Sequence, residues 1–254
     1  MALTCIAANE VDSLLHAEEI HVWTVTVSNW LPHLAALGAT LNLAEREKAA
    51  RFRFERDRRR FTLCRSLLRA QLGDYLSAMP HGIEFHFGDQ DKPELPPGVS
   101  PRIEFNLSHS DEAAYFAFAA GKRVGVDIEH MRPHTDVDGL GRQVLSPAER
   151  QQLSATPEQE KQDVFFSMWT QKEAYIKAIG LGLAAPVRDI TVGEGLIPRG
   201  EETGIGLVQG YGAVWSVLKL PAPDGYKAAL AVEGRIRSDR LRVRPLLPPA
   251  SLPD

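Results

Sequence analysis

The sequence predicts an α+β protein made of two similar halves with a ligand cleft between them, and three observations lead there. Short β-branched runs alternate with two long helical stretches along the 254 residues. The stretches begin alike: Leu41-Asn42-Leu43-Ala44-Glu45-Arg46 is echoed by Leu145-Ser146-Pro147-Ala148-Glu149-Arg150. Further on, Cys64–Ala70 (CRSLLRA) lines up with Lys172–Ala178 (KEAYIKA). Each stretch follows a strand and precedes others, which reads as a diverged duplication, with an N-terminal half over 1–121 and a C-terminal half over 122–254. A duplicated fold leaves a natural cleft between its halves.

The first strand is expected at His21–Val27, HVWTVTV, which alternates and is rich in β-branched residues. A helical region from Leu41 to Leu76 follows, with Phe61, Leu63, Cys64, Leu67, Leu68 and Leu72 at helical spacing. Strands come next at Ile83–Phe87 and Ile103–Asn106, separated by a proline-rich loop over Asp91–Gly98. Tyr115–Ala119 is a further strand, and Val124–Glu129 begins another after the Gly121-Lys122-Arg123 turn. The second helical region opens at Ser146-Pro147-Ala148-Glu149, where serine caps, proline suits the first turn and glutamate closes a capping box. It resumes at Asp163 and ends near Ile179, before Gly180. Strands are expected at Ile190–Val192, Ala213–Leu218 and Lys227–Val232, and the tail from 235 to 254 is expected to be extended.

Composition narrows the function. A content of 44% apolar and 24% charged residues is ordinary for a globular protein with a sizeable core, and a net charge of −4 argues against a general nucleic-acid binder. No apolar run approaches the roughly 18–20 residues of a membrane span, and the N-terminus shows no secretory signal. Cys5 and Cys64 have no metal or redox spacing, which fits a reducing compartment and points to the cytoplasm.

Four segments carry side chains suited to chemistry. In Val124-Gly125-Val126-Asp127-Ile128-Glu129, alternation puts Asp127 and Glu129 on one strand face, with Gly125 leaving room there for a ligand. An edge strand with its polar face in water gives the same pattern. Trp169, Glu173 and Lys177 share a helix face at i, i+4 and i+8, although a solvated Glu–Lys pair would show the same spacing. Asn106-Leu107-Ser108-His109-Ser110 clusters hydroxyls, an amide and an imidazole where a strand ends; a turn bonding to its own backbone is the alternative. Arg51, Arg53, Arg56, Arg58, Arg59 and Arg60 read mostly as a solvated helix face, from which one or two can grip a phosphate. Together, Asp127, Glu129 and Glu173 offer the oxygen ligands that Mg²⁺ prefers, and His109, Lys177, Arg60 and Lys92 can neutralise a polyphosphate. No Gly-rich phosphate loop, GxGxxG, GxSxG or HExxH is present, which leaves metal-assisted transfer from a diphosphate as the plausible chemistry.

FNLSHS, VGVDIE and FSMWTQKEAYIKAIGLGL, in this order and spacing, resemble the signature segments of the Sfp-type 4′-phosphopantetheinyl transferase superfamily. The resemblance runs from about Leu41 to Val232. It implies a pseudo-twofold α+β fold with coenzyme A between the halves and an apo acyl, peptidyl or polyketide carrier protein as partner. It further implies Asp127, Glu129 and Glu173 as magnesium ligands and Lys177 beside the reacting phosphate; in the mechanism that follows, Glu173 is the candidate base, directly or through a water. Ser108 and His109 match phosphate contacts, Arg60 a grip on the ribose 3′-phosphate, Lys92-Pro93 a loop beside the adenine, and Glu149 an acidic residue near the coenzyme. The chain departs from the family at Asp91, where glycine is usual, and at Glu45, where some members are basic. Because the fold carries its own pseudo-dimer, a monomer is expected. The competing readings are a non-catalytic coenzyme A or carrier-protein binding module, a magnesium-dependent diphosphate hydrolase, and a nucleic-acid binder built on Arg51–Arg60.

Overall fold

The computed structural model describes residues 15–16, 18–88, 92–192 and 205–249; Cys5, Asp91 and the last residues of the tail lie outside these. In chain order the elements begin with β1 (Ile20–Thr26), α1 (Val27–Trp30), α2 (Leu34–Gly38), α3 (Leu43–Ala50) and α4 (Glu55–Leu76). The short β2 (His86–Phe87) and β3 (Pro93–Glu94) follow, then β4 (Ile103–Ser110) and β5 (Ala113–Ala120). The second half has β6 (Val124–His130), α5 (Val137–Val144), α6 (Pro147–Ala155), α7 (Glu158–Ile179), β7 (Ile205–Gly210), β8 (Ala213–Leu220) and β9 (Tyr226–Glu233), and β10 (Leu241–Pro245) ends the series.

Both halves repeat one pairing rule: the first strand pairs with the last, and the last with the one before it. This gives sheet orders β10-β1-β5-β4 and β6-β9-β8-β7. Alternation along each strand then builds the layers. One face of the first sheet, with Trp23, Val25, Phe105, Phe116 and Phe118, packs on α4 through Leu63, Leu67, Leu68 and Leu72. Its other face, with Ile20, Val22, Tyr115 and Ala117, meets Val124, Val126, Ile128 and Leu230 of the second sheet. The far face of that second sheet, with Val217, Ala229 and Ala231, packs on Ala174, Tyr175 and Ala178 of α7.

Both echoed helix starts are capping boxes: Asn42 with Glu45 at α3, and Ser146 with Glu149 at α6. Each box glutamate is buried and bound to a fully buried cation on the following long helix. Arg69 Nε meets Glu45 Oε2 at 2.7 Å, and Lys172 Nζ meets Glu149 Oε2 at 2.6 Å. The duplication therefore aligns Lys172 with Arg69, not with Cys64 as the similarity of CRSLLRA and KEAYIKA implies.

Several boundaries differ from expectation. The first helical region breaks at 51–54 into α3 and α4, α7 begins at Glu158 rather than Asp163, and Ile190–Val192 is irregular rather than a strand. The tail is extended over β10, but it belongs to the other half: β10 lies parallel to β1, with His21 opposite Arg242 and Trp23 opposite Arg244. Leu246 anchors the crossing, 3% exposed, through its N–H to Thr24 O at 2.8 Å and its carbonyl to Trp30 Nε1 at 3.2 Å.

Candidate active site

Val126 and Ile128 of β6 face the other sheet, so Gly125, Asp127 and Glu129 face α7. The space at Gly125 belongs to that helix rather than to a ligand. A Cβ there would lie 2.1 Å from Ala174 O and 2.5 Å from Ala178 N, so α7 crosses β6 backbone against backbone. This contact brings Glu173 and Lys177 beside the β6 carboxylates. Lys177 Nζ donates to Asp127 Oδ1 at 2.6 Å and to Ser108 Oγ at 2.9 Å.

Asp127 is 2% exposed; Ser108 Oγ also donates to its Oδ1 at 2.9 Å, and its Oδ2 is buried without a hydrogen-bond partner. Burial raises the Glu173 pKa to about 7, helped by the charges of Asp127 and Glu129 and opposed by Lys177. Glu129 is raised by burial and then by Asp127, while the Ser110 hydroxyl, 2.9 Å from Oε2, lowers it. The three carboxylates predicted together are thus electrostatic neighbours, joined by Lys177.

Strand β4 supplies the facing wall, and its two faces have different tasks. Asn106, Ser108 and Ser110 reach across to β6: Asn106 Oδ1 accepts the Val126 N–H at 2.9 Å, and Ser110 Oγ accepts the His130 N–H at 3.1 Å. This row of side-chain bonds closes the seam between the sheets. His109 points the other way, toward α4; burial, then the charge of Arg60, and more weakly that of Lys177, lower its pKa and favour the neutral imidazole. Ser108 and His109, expected as joint phosphate contacts, therefore face opposite sides of one strand. Arg60 is held by Asp57 at 3.0 Å.

Lys92 crosses between the halves and donates to Lys177 O at 3.2 Å, near the C-terminal end of α7. Burial lowers its pKa. Lys92, Pro93, Arg65, Phe105, Asn106 and Lys177 line a cavity of about 270 Å³ that draws walls from both halves. A second cavity, of about 350 Å³, continues from Lys92 and Pro93 along the proline-rich loop to Arg102 and Glu104.

One expected site residue is placed elsewhere. Glu149 is enclosed by Lys172, by the Ser146 N–H at 2.8 Å and by the Val192 N–H at 2.8 Å, so its carboxylate serves the interior, not the cleft. Its place in a capping box was the signal for that role. Trp169, which shares a helix face with Glu173 by spacing, packs against the apolar cluster of Phe165, Phe166 and Leu153. Asn106 and Ser110 belong to the polar cluster read from the sequence, although the resemblance assigns a role only to Ser108 and His109.

The oxygen-rich donor set suits a divalent cation. Among the described residues no group of His, Cys, Asp or Glu already stands in metal-holding array. Two observations nevertheless fit such an ion: the buried, partnerless Asp127 Oδ2, and three carboxylates whose charges oppose one another's ionisation. Among the described residues no helix is long and apolar enough to cross a membrane.

Comparison with known proteins agrees with this geometry. The model of the 4′-phosphopantetheinyl transferase superfamily matches residues 123–231, and that of the 4′-phosphopantetheinyl transferase N-terminal domain matches residues 21–122. The chain is 37% identical over 227 residues to the 4′-phosphopantetheinyl transferase HetI of Nostoc sp. strain PCC 7120, covering 87% of this chain and 90% of that one. It is 30% identical over 148 residues to the 4′-phosphopantetheinyl transferase Sfp of Bacillus subtilis strain 168, covering 58% and 64%. It is 34% identical over 112 residues to the 4′-phosphopantetheinyl transferase AcpT of Escherichia coli K12, covering 44% and 55%. With both halves matched in order and nearly the whole of one relative aligned, the chain belongs to the 4′-phosphopantetheinyl transferase superfamily.

Proposed function

We infer that this chain transfers the 4′-phosphopantetheine group of coenzyme A to a serine of an apo carrier protein, releasing 3′,5′-adenosine bisphosphate. The observation that carries this reading is the meeting of Asp127, Glu129, Glu173, Lys177 and Ser108 beside a cavity lined by Lys177, Lys92, Arg65 and Asn106. The cations lining that cavity suit the phosphates of a diphosphate, and the carboxylates beside Lys177 suit the divalent ion that aids its cleavage.

Asp127, Glu129 and Glu173 would hold Mg²⁺, which when bound offsets the charge that builds as the phosphoanhydride breaks. The residues of the chain do the rest. Lys177, held by Asp127 and Ser108, neutralises a phosphate oxygen on the reacting side. Glu173, more basic than an ordinary glutamate, takes the proton of the attacking hydroxyl, directly or through water. The phosphorus–oxygen bond to the serine forms as the anhydride bond breaks, and the electron pair leaves on the adenosine bisphosphate. Arg60 grips the ribose 3′-phosphate, Ser108 and His109 contact coenzyme A phosphates, and Lys92 and Pro93 border the adenine and its phosphates.

The carrier is of the acidic helical type, and it docks where Met131, Arg132 and His134 follow β6 or where Phe52 and Phe54 stand exposed between α3 and α4. The protein works as a cytoplasmic monomer. Incubation with coenzyme A, Mg²⁺ and a panel of apo carriers, read by intact mass, tests the reading. A gain of one phosphopantetheine group that EDTA abolishes is expected. Breakdown of coenzyme A without carrier modification would instead make the protein a hydrolase, and coenzyme A binding without either would make it a binding module.

A further inference from the structure

Lys172 precedes Glu173 on α7, yet its side chain leaves the cleft and is fully buried. Its ammonium meets three acceptors from three segments: Glu149 Oε2 at the start of α6 (2.6 Å), Val144 O at the end of α5 (3.0 Å) and Val187 O beyond α7 (2.8 Å). The other Glu149 oxygen takes the Val192 N–H. Four pieces of chain are thus tied to one point on α7. Burial lowers the Lys172 pKa and the Glu149 carboxylate opposes that shift. The close crossing at Gly125 fixes the distance of α7 from β6, but a helix at fixed distance can still turn about its axis. Such a turn would carry Glu173 and Lys177 along the face of β6 and away from Asp127.

We propose that Lys172, with Glu149, is the positioning residue of the active site: it sets the roll of α7 and thereby the register of Glu173 and Lys177 against Asp127. The counterpart in the first half supports this. Arg69 is also fully buried and binds Glu45, Pro80 O at 2.9 Å and Ile83 O at 2.8 Å, so the duplication kept one fastener for its long helix in each half. Only in the second half does that helix carry the carboxylate and the lysine of the cleft. The inference rests on the transfer reading for what the register accomplishes, though not for the register itself.

The test compares wild type with Lys172→Met and Glu149→Gln, both assayed well below their melting temperatures after folding is checked by circular dichroism. A fastener that only stabilises the fold would lower the melting temperature and leave the folded site intact. A positioning residue predicts that kcat falls at least about tenfold, with the KM for carrier changed less than about twofold, since reacting groups displaced by about 1 Å lose rate rather than affinity. Binding of Mn²⁺ in the presence of coenzyme A, followed by electron paramagnetic resonance, should weaken by a similar factor in both variants. Should Lys172→Met fail to fold, Glu149→Gln, which keeps the side-chain volume and one acceptor, carries the test alone. Folded variants with kcat and Mn²⁺ affinity both within about twofold of wild type would overturn the proposal. The Mn²⁺ readout holds even if wild type modifies no carrier, which separates failure of this inference from failure of the transfer reading.

Discussion

Replacing Gly125 with alanine places one methyl group between β6 and α7. The nearest atoms are backbone: Ala174 O at 2.1 Å, Ala178 N at 2.5 Å and Ala178 Cα at 3.0 Å. Backbone atoms have no rotamer by which to retreat, so the helix itself must move about 1 Å to restore an ordinary contact. Overpacking of this kind costs about 1–3 kcal/mol, or roughly 2–4 °C in Tm per kcal/mol for a chain of this size. The larger effect falls on chemistry, because the helix that moves carries Glu173 and Lys177. A displacement of about 1 Å at a reacting centre costs on the order of 100-fold in rate, about 2.7 kcal/mol in the barrier. The assay is the initial rate of mass gain on an apo carrier beside a thermal melt. Gly82→Ala is the control, since its Cβ would meet nothing within 4 Å and its φ is ordinary. A folded Gly125→Ala enzyme with a rate within about twofold of wild type would show that α7 need not touch β6 for catalysis.

Asp127→Ala and Glu173→Ala should each lower carrier modification at saturating Mg²⁺ by at least about 100-fold while circular dichroism stays unchanged, because each removes a carboxylate proposed to hold Mg²⁺, and Glu173 the proposed base as well; near-normal turnover in either would remove that residue from the mechanism. Asp74 lies part-buried near the C-terminal end of α4, and burial raises its pKa to about 6. A carboxylate raised in the folded state favours folding below the unfolded value near 4 and opposes it above about 6. Asp74→Asn should therefore stabilise the protein by about 1 kcal/mol at pH 8, after allowance for solvent screening, and by much less at pH 4, as read from urea midpoints. Ending the chain after residue 237 removes β10 and Leu246, and should lower stability by at least about 3 kcal/mol, since burying one such leucine contributes about 2 kcal/mol before the strand pairing is counted. A thermal melt unchanged by that truncation would mean β10 adds nothing to the first sheet.

What was legible in the sequence follows its periodicities. Strand alternation put Asp127 and Glu129 on one face, and helical spacing put Glu173 and Lys177 on another; the fold brings these two faces together. The capping boxes at Asn42 and Ser146 were readable from local chemistry, and the repeat they mark is the repeat of the fold. What could not be read depends on the third dimension. Gly125 as a ligand space and Gly125 as a helix crossing give the same letter in a strand. Glu149 fits a site role by motif position; the capping box hinted at another, but that its carboxylate also meets the buried ammonium of Lys172 and the Val192 N–H depends on the fold. Strand β10, five residues with arginines between its apolar positions, pairs across some 220 residues of chain, for which local pattern carries no signal.

That last strand bears on how the protein is made. During synthesis, the β1-β5-β4 part of the first sheet is complete in sequence once residue 120 has emerged, but its outer strand is encoded after residue 240. Until then β1 presents an open edge, with Trp30 Nε1 and the Thr24 carbonyl lacking the backbone that will bind them. The nascent first half must therefore wait, through translation of the whole second half, for the segment that seals it. A ribosome that stalls in between exposes a sticky sheet edge, and one that passes residue 245 supplies the strand that covers it.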